Sequence, residues 1–293
     1  IQWVPDASKE EKMNAALASG SVPDVTSVTN LDNSSIRSGV TSGLFWDVEP
    51  FLEEFENLKG IDPKIIEAAR LDGVLYGVPF QKPLARYGVL VRQDWLDELG
   101  LDVPHTIEDL GEVAKAFAEG DPTGTGASVT GFIDREESFK VGFRSLAGYF
   151  GAGETFQVDD AAGKIIPAFI SEPWKEAMEW YQDIYAAGGV NQEFITTQKE
   201  NQQQAIAQDK GGIVVTGLFE AKNYAALADS INPDSGVEWT LINDITYADV
   251  PRRILSDTGG GMGGLFAIST QSADSEDDVR RVLSFADELM SEE

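Results

Sequence analysis

The chain has no cysteine, a single histidine and little positive charge. Without cysteine there is no disulfide, no thiol nucleophile and no thiolate-ligated metal. That absence fits a cytosolic and an exported bacterial-type protein equally. A Ser-His-Asp triad would have to use His105, and a His-rich metal site is excluded; His105 follows Pro104 in what reads as a capped surface loop. Lys and Arg total 22 against 50 Asp and Glu, a formal charge of −28. Affinity for a phosphate backbone rests on Lys and Arg, so nucleic acid is not an expected partner, and adhesion to anionic lipid is equally disfavoured. No apolar run approaches the ~20 residues that span a bilayer, and no basic-plus-apolar leader opens the chain. Ile1 opens on a strand in progress and the last residues stop in a helical turn, so the sequence reads as a fragment of a longer protein.

What is present is 293 residues of ordinary globular composition, enough for one large domain or two lobes. Short apolar strands alternate with amphipathic helices throughout, which is an α/β pattern. Residues 1–5 read as a strand, Lys9–Ser19 as a helix stopped by Gly20, and Val25–Val28 as a second strand ending in the polar loop Thr29–Ser35. In a parallel sheet such a βαβ unit puts that loop at the ligand edge. Short helices follow at Glu49–Leu58 and Asp62–Arg70, the latter with Asp62 as N-cap and Pro63 at N1.

Gly73–Leu110 is the most informative stretch. Gly73–Phe80 and Gly88–Val91 read as strands, while Gln81, Lys82, Arg86 and Tyr87 interrupt an otherwise buried-looking run with polar and aromatic groups. Arg92, Asp94 and Trp95 open a helix that Gly100 stops, and Thr106 with Asp109 forms a capping-box-like start for the next. Val129–Ile133 is a candidate strand and Phe139–Tyr149 a helix. The spacing of Trp174, Ala177, Met178, Tyr181, Ile184 and Tyr185 predicts a helix over Glu172–Ala187, capped by Ser171, with those side chains in the core. A polar helix over Gln198–Gln208 precedes the buried strand Ile213–Thr216. Leu265–Ser269 reads as a strand, and Asp277–Met290 as a helix with Val279, Val282, Leu283, Ala286, Leu289 and Met290 on one face.

The motifs divide into scaffold and candidate site. Gly259, Gly261 and Gly264 satisfy G-x-G-x-x-G, but a dinucleotide site needs the glycines to open a helix, and here they enter a strand. The loop Asp121–Gly126 (DPTGTG) has the outline of a calcium loop, yet no carboxylate follows Asp121 until Asp134, so a plain turn is preferred. No cofactor or metal is expected. Among 50 acidic residues a hydrolase pair is neither excluded nor identifiable, because its separation is spatial. Aromatics are better placed: Phe219 sits just past a buried strand, and Tyr149 and Phe150 end a helix before a glycine. Sugar sites combine such faces with polar groups that bond hydroxyls, which Thr29, Asn30, Asp32, Lys82, Arg86 and Glu220 would supply.

Six segments, in order, resemble the extracellular solute-binding proteins (family 1) of bacterial ABC sugar importers, especially their lipoprotein-like oligosaccharide-binding branch. They are LASGSVPDV (17–25), LDGVLYGVPF (71–80), VRQDWLDELGLDVPHTIEDL (91–110), AFAEGDPTGTG (116–126), KGGIVVTGLF (210–219) and GGLFAIS (263–269). The resemblance implies a bilobal, type II periplasmic-binding-protein-like α/β fold that closes about a strand hinge. Lobe 1 would hold residues 1–84 and 265–293 and lobe 2 residues 85–264, with crossings near 81–90 and 254–265. It implies ligand contacts at Thr29, Asn30 and Asp32, at Lys82, Arg86 and Tyr87, at Phe219 and Glu220, near Tyr149 and Phe150, and at Met262. Arg92, Asp94 and Trp95 would serve the scaffold. The implied protein is an extracellular monomer that delivers an oligosaccharide or other sugar to the ABC permease, held at the membrane by an N-terminal lipid. It makes and breaks no bond. A carbohydrate-active hydrolase and a binding protein for a non-sugar solute are the alternative readings.

Overall fold

The computed structural model describes residues 9–29, 31, 33–83, 86–159, 162–255 and 261–291. The expected strand at 1–5, Asn30, Asp32, Gly259 and the middle of the first crossing lie outside them. In chain order the helices are α1 (Lys9–Ser19), α2 (Ser34–Thr41), α3 (Pro63–Ala69), α4 (Gln93–Leu99), α5 (Ile107–Glu119), α6 (Gly142–Tyr149), α7 (Glu172–Ala186), α8 (Lys199–Ala207), α9 (Ala221–Ile231) and α10 (Glu276–Glu288). The strands are β1 (Val25–Val28), β2 (Gly77–Gln81), β3 (Tyr87–Arg92), β4 (Thr130–Phe132), β5 (Phe156–Asp159), β6 (Lys164–Pro167), β7 (Gly211–Gly217), β8 (Trp239–Ile242) and β9 (Met262–Ile268). The chain forms two compact units, Ile1–Leu84 with Thr258–Glu293, and Ala85–Asp257.

In the first unit β9 is the central strand of three, antiparallel to β1 on one side and β2 on the other. The described part of this sheet is therefore antiparallel, where the sequence suggested parallel pairing. β1 and β2 run in the same direction, so both end at the edge where β9 begins. Val28, Val78, Leu265 and Ile268 anchor a core completed by Leu17, Ile36, Leu58, Val279 and Leu283. β9 starts at Met262 rather than Leu265, because Gly264 and Met262 pair with Phe80 and Gln81 across a bulge. Residues 262–264, expected in the second lobe, thus belong to the first unit's sheet. A Cβ on Gly264, whose φ is 137°, would lie 2.3 Å from the Val28 carbonyl oxygen, so only glycine fits this crossing point.

Local signals explain most helix ends here. Asp62 accepts the Lys64 amide at 2.8 Å to cap α3. Helix α2, whose first two residues fall in the loop Thr29–Ser35 read from the sequence, is capped by Asn33, whose Oδ1 accepts the Ser35 amide at 2.9 Å. Residues 49–58 form not an α-helix but two short 3₁₀ turns, Glu49–Glu54 and Leu58–Gly60. On α10, Val279 and Leu283 are buried as expected, but Leu289 is 67% exposed beyond the helix end.

The second unit holds a mixed sheet in the order β4-β7-β3-β8, with β4 parallel to β7 and β3 antiparallel to β7 and β8. β7 is buried along its whole length, and its first two residues must be glycine. A Cβ on Gly211 would meet Ile133 at 2.1 Å, and one on Gly212 would meet Trp95 and Phe117 at 2.4 and 2.6 Å. One sheet face packs the large core around Val89, Val91, Trp95, Leu110, Phe117 and Ile213. The other packs Leu90, Val214, Ile206 and Tyr224. Thr106 caps α5 through the Asp109 amide at 3.0 Å, and Gly100 ends α4 with φ 66°. Ser171 precedes α7 without capping it: its hydroxyl donates instead to the Ala168 carbonyl at 2.6 Å. Met178 is 38% exposed rather than core, while Ala177, Tyr181 and Ile184 are buried. The hairpin β5–β6, α9 and β8 have no counterpart in the sequence reading.

Arg92 shows why the RQDW segment is scaffold. It is buried, its guanidinium donates to Asp94 at 2.7 and 2.5 Å and to Asp209 at 2.6 Å, and it lies over the rings of Trp95 and Trp239. Burial would lower its pKa, and the bonds to the two carboxylates more than offset that, so it is held firmly charged. Asp209 has φ 56°, in the left-handed region.

Candidate functional site

Antiparallel pairing of β3 with β7 sets Tyr87 opposite Gly217, so the start of one strand and the end of the other share an edge of the second unit's sheet. Beyond that edge the chain turns through Leu218–Glu220 into α9. The Leu218 amide donates to the Arg86 carbonyl at 3.0 Å, which ties the two chain segments together. Three expected site residues meet there. The Arg86 guanidinium carbon lies 5.0 Å from the centre of the Tyr87 ring and 5.9 Å from that of Phe219, and Arg86 Nη2 donates to the Tyr87 hydroxyl at 3.1 Å. Phe219 is 52% exposed. An open ring face beside a cation held on aromatic faces is an arrangement that stacks on an apolar surface and bonds a polar group at its rim.

Glu220 adjoins this edge but turns inward. It is buried, and its carboxylate accepts Asn223 Nδ2 at 2.8 Å and Lys199 Nζ at 3.4 Å. Its charge is committed to pinning α9 to α8, not offered at the edge as expected. Tyr149 and Phe150 are likewise not presented. They are 3% and 2% exposed within the large core, and Phe150 packs on Tyr247 at 4.4 Å between ring centres. Burial pushes the Tyr149 hydroxyl up to about 12. Both aromatics were expected at the ligand surface because they end a helix before Gly151. Instead α6 runs inward, where Gly148 lets the Arg253 carbonyl approach within 2.3 Å of a notional Cβ.

The first unit has its own edge, formed where β1 and β2 end and β9 begins. Thr29 follows β1 and is exposed, Lys82 follows β2, and Met262 opens β9 opposite Gln81. The Lys82 amide donates to the Gly261 carbonyl at 2.8 Å, and its methylene stem lies across Gly263. Of the residues expected at this edge, Thr29, Lys82 and Met262 are brought to it; Asn30 and Asp32 lie outside the described residues. Phe80 and Phe266 pack at 5.0 Å on the sheet face nearby, and Phe266 remains 39% exposed.

The sequence reading missed a polar network just past β4. Asp134 is buried and accepts the Tyr181 hydroxyl at 2.6 Å, the Arg135 amide at 2.8 Å and the Ser138 hydroxyl. Asn191 clamps its backbone, accepting the Asp134 amide at 2.7 Å and donating to its carbonyl at 3.1 Å. Arg135 donates to Gln202 at 2.7 Å and to Glu137 at 2.9 Å. Burial drives the Asp134 pKa above the usual carboxylate range, against the lowering effect of its donors. The available signal was a charged pair, Asp134-Arg135, directly after an apolar strand.

The Asp121 loop spends its carboxylate internally. Asp121 accepts the Gly126 amide at 2.8 Å, the Thr125 amide at 3.1 Å and the Thr123 hydroxyl at 3.1 Å. The Gly126 bond is the largest reason its pKa lies below the usual value. Among the described residues no group of three or more His, Cys, Asp and Glu side chains could hold a metal ion. Gly261 to Gly264 lead into β9 and open no helix, so they form no phosphate cradle.

Residues 1–293 match the family described as bacterial extracellular solute-binding protein. The chain is 34% identical over 294 residues to the polygalacturonan/rhamnogalacturonan-binding protein YtcQ of Bacillus subtilis, covering all of this chain and 57% of that protein. It is 30% identical over 300 residues to lipoprotein LipO of the same organism, covering all of this chain and 58% of that one. The chain thus spans under two thirds of the curated relatives it matches. Among solved structures, the alginate-binding protein AlgQ2, crystallised without calcium ion, superposes with a TM-score of 0.75 at 23% identity, over 96% of this chain and 58% of that one. The two α/β units are accordingly those of the bilobal periplasmic-binding-protein-like fold, and the chain belongs to the bacterial extracellular solute-binding protein family.

Proposed function

We propose that this protein captures an oligosaccharide for an ABC importer, and that the sugar it prefers carries uronate carboxylates. The observation that carries the reading is the Arg86 guanidinium laid on Tyr87 and Phe219 at the strand-end edge of the second unit. The exposed Phe219 face receives the C–H face of a sugar ring. A guanidinium carries a planar N–H fork that matches a carboxylate with two charge-assisted bonds, which a neutral hydroxyl does not accept in that form. YtcQ is named for polygalacturonan and rhamnogalacturonan, both built with uronate units, which supports the same class here.

No bond is made or broken in this reading. A hydrolase would need two carboxylates facing a substrate, one with a raised pKa. Asp134, whose pKa is raised, is enclosed by Tyr181, Ser138 and Asn191 and reaches no open surface. Delivery to permease subunits, action as a monomer and tethering by an N-terminal lipid belong to the proposal; a relative named as a lipoprotein supports the tether.

A thermal-shift screen tests the reading. Ligand at a hundred times its Kd stabilises the folded state by about 2.7 kcal/mol. Trigalacturonate is expected to raise the midpoint, and neutral trisaccharides to raise it less. A panel in which only peptides or polyamines shift the midpoint would overturn it.

A further inference from the structure

Gly217 lies directly beneath a side chain of the second unit's edge, and backbone conformation does not explain it. Gly217 has φ −63° and ψ 125°, a region open to any residue. Space is the reason instead. A Cβ on Gly217 would lie 2.4 Å from Phe219 Cε1 and 3.0 Å from its Cδ1 and Cζ. At Gly77 and Gly131 the prohibited contact is backbone, the Phe266 carbonyl oxygen at 2.2 Å and that of Ala114 at 2.4 Å, and at Gly211 and Gly212 it is the core side chains of Ile133, Trp95 and Phe117. Those glycines serve the fold. At Gly217 the nearest atoms all belong to the one side chain that the proposed function puts against the ligand.

We infer that Gly217 is a positioning residue: it leaves a bare Cα on which the ligand-contacting Phe219 ring is laid in its binding pose. The inference rests on the proposed function, since only a bound ligand makes that pose consequential. It predicts that alanine at this site displaces a movable side chain and leaves the backbone in place.

The test is a double-mutant cycle in the full-length chain, reading the Kd for trigalacturonate by calorimetry and the thermal midpoint without ligand. Gly217→Ala is expected to weaken binding roughly 3- to 10-fold, the span of one aromatic packing interaction, with the unliganded midpoint held within about 1 °C. Phe219→Ala should weaken it by a similar factor, and adding Gly217→Ala to Phe219→Ala should change nothing further. If Gly217→Ala fails to fold, or weakens binding equally with and without the Phe219 ring, the inference is overturned, because the backbone and not the ring excludes the side chain. If Gly217→Ala leaves the Kd unchanged while Phe219→Ala raises it, the inference fails and the stacking role stands. If Phe219→Ala itself leaves the Kd unchanged, the proposed role of Phe219 falls, and the role of Gly217 falls with it.

Discussion

Tyr181→Phe isolates the buried network of the second unit, because it removes one hydroxyl and almost no volume. The Tyr181 hydroxyl donates to Asp134 at 2.6 Å, and both residues are buried. The carboxylate would keep only the Ser138 hydroxyl and the Arg135 amide. A hydrogen bond to a buried charged group contributes about 1.5–3 kcal/mol, which is roughly 3–12 °C in midpoint for a unit of this size. The pH dependence carries the sharper test. Asp134 already has a folded-state pKa above its unfolded value through burial, so the native state holds its proton more tightly. Its ionisation therefore lowers stability as pH rises from the unfolded value through the folded one. Removing a donor to the carboxylate raises the folded pKa further. The loss in Tyr181→Phe should thus be full above that pKa and shrink as pH falls below it, when Asp134 is neutral. Urea titrations of both proteins at a series of pH values from acid to mildly alkaline, followed by circular dichroism, measure this. A deficit under about 0.5 kcal/mol, or one that does not change with pH, would show that the bond does not bear on stability as argued.

Other perturbations separate scaffold from site. Arg92→Lys keeps a charge but loses the fork that joins Asp94 to Asp209, and a destabilisation of about 3 kcal/mol is expected in urea titration; a loss below 1 kcal/mol would contradict the hub role. Gly264→Ala should prevent the first unit from folding, because its Cβ would meet the Val28 carbonyl at 2.3 Å with φ at 137°; a soluble, cooperative variant with an unchanged midpoint would refute the crossing-point argument. Asp121→Ala frees the amides of Thr125 and Gly126 and should speed proteolytic cutting within 121–126. Because the folded pKa of Asp121 is depressed, its contribution is present above the unfolded value of 3.8 and is lost as pH falls through the folded one. Wild-type cutting should therefore accelerate only in acid, and a rate independent of pH would count against it.

Features set by neighbouring residues were legible in the sequence. The caps at Asp62 and Thr106, the stop at Gly100 and the buried strand through Val214 are decided within a few positions. Pairing partners are not. The antiparallel direction of β1, β9 and β2 depends on a return of the chain more than 180 residues later, and no local pattern encodes it. Helix α2 escaped notice because its serines resemble a loop, although Asn33, Ile36 and Val40 mark a cap and one face. Hairpin β5–β6 keeps its apolar side chains Phe156, Val158 and Ile165 exposed, so it has no core face for a buried-strand pattern to mark.

The candidate site was half legible for the same reason. Phe219 is marked by its place just past a buried strand, and Arg86 and Tyr87 by interrupting a buried-looking run, and the three meet in the fold. Tyr149 and Phe150 end a helix before a glycine but face the core, and Glu220 faces Lys199 and Asn223. Which way a helix end points is a tertiary fact. The importance of Gly217 was also invisible, since a glycine required by φ and one required by space look identical in sequence.

The most direct measurement of the central claim is calorimetric titration of the full-length protein with trigalacturonate and, separately, with its trimethyl ester. The two ligands share every ring and linkage and differ in charge. Saturable one-site binding of the acid, with the ester weaker by about tenfold or more through loss of the charge-assisted bonds to Arg86, is the predicted result. Equal affinity for acid and ester would contradict the uronate reading, and heat from neither would contradict the assignment of this edge to such a sugar.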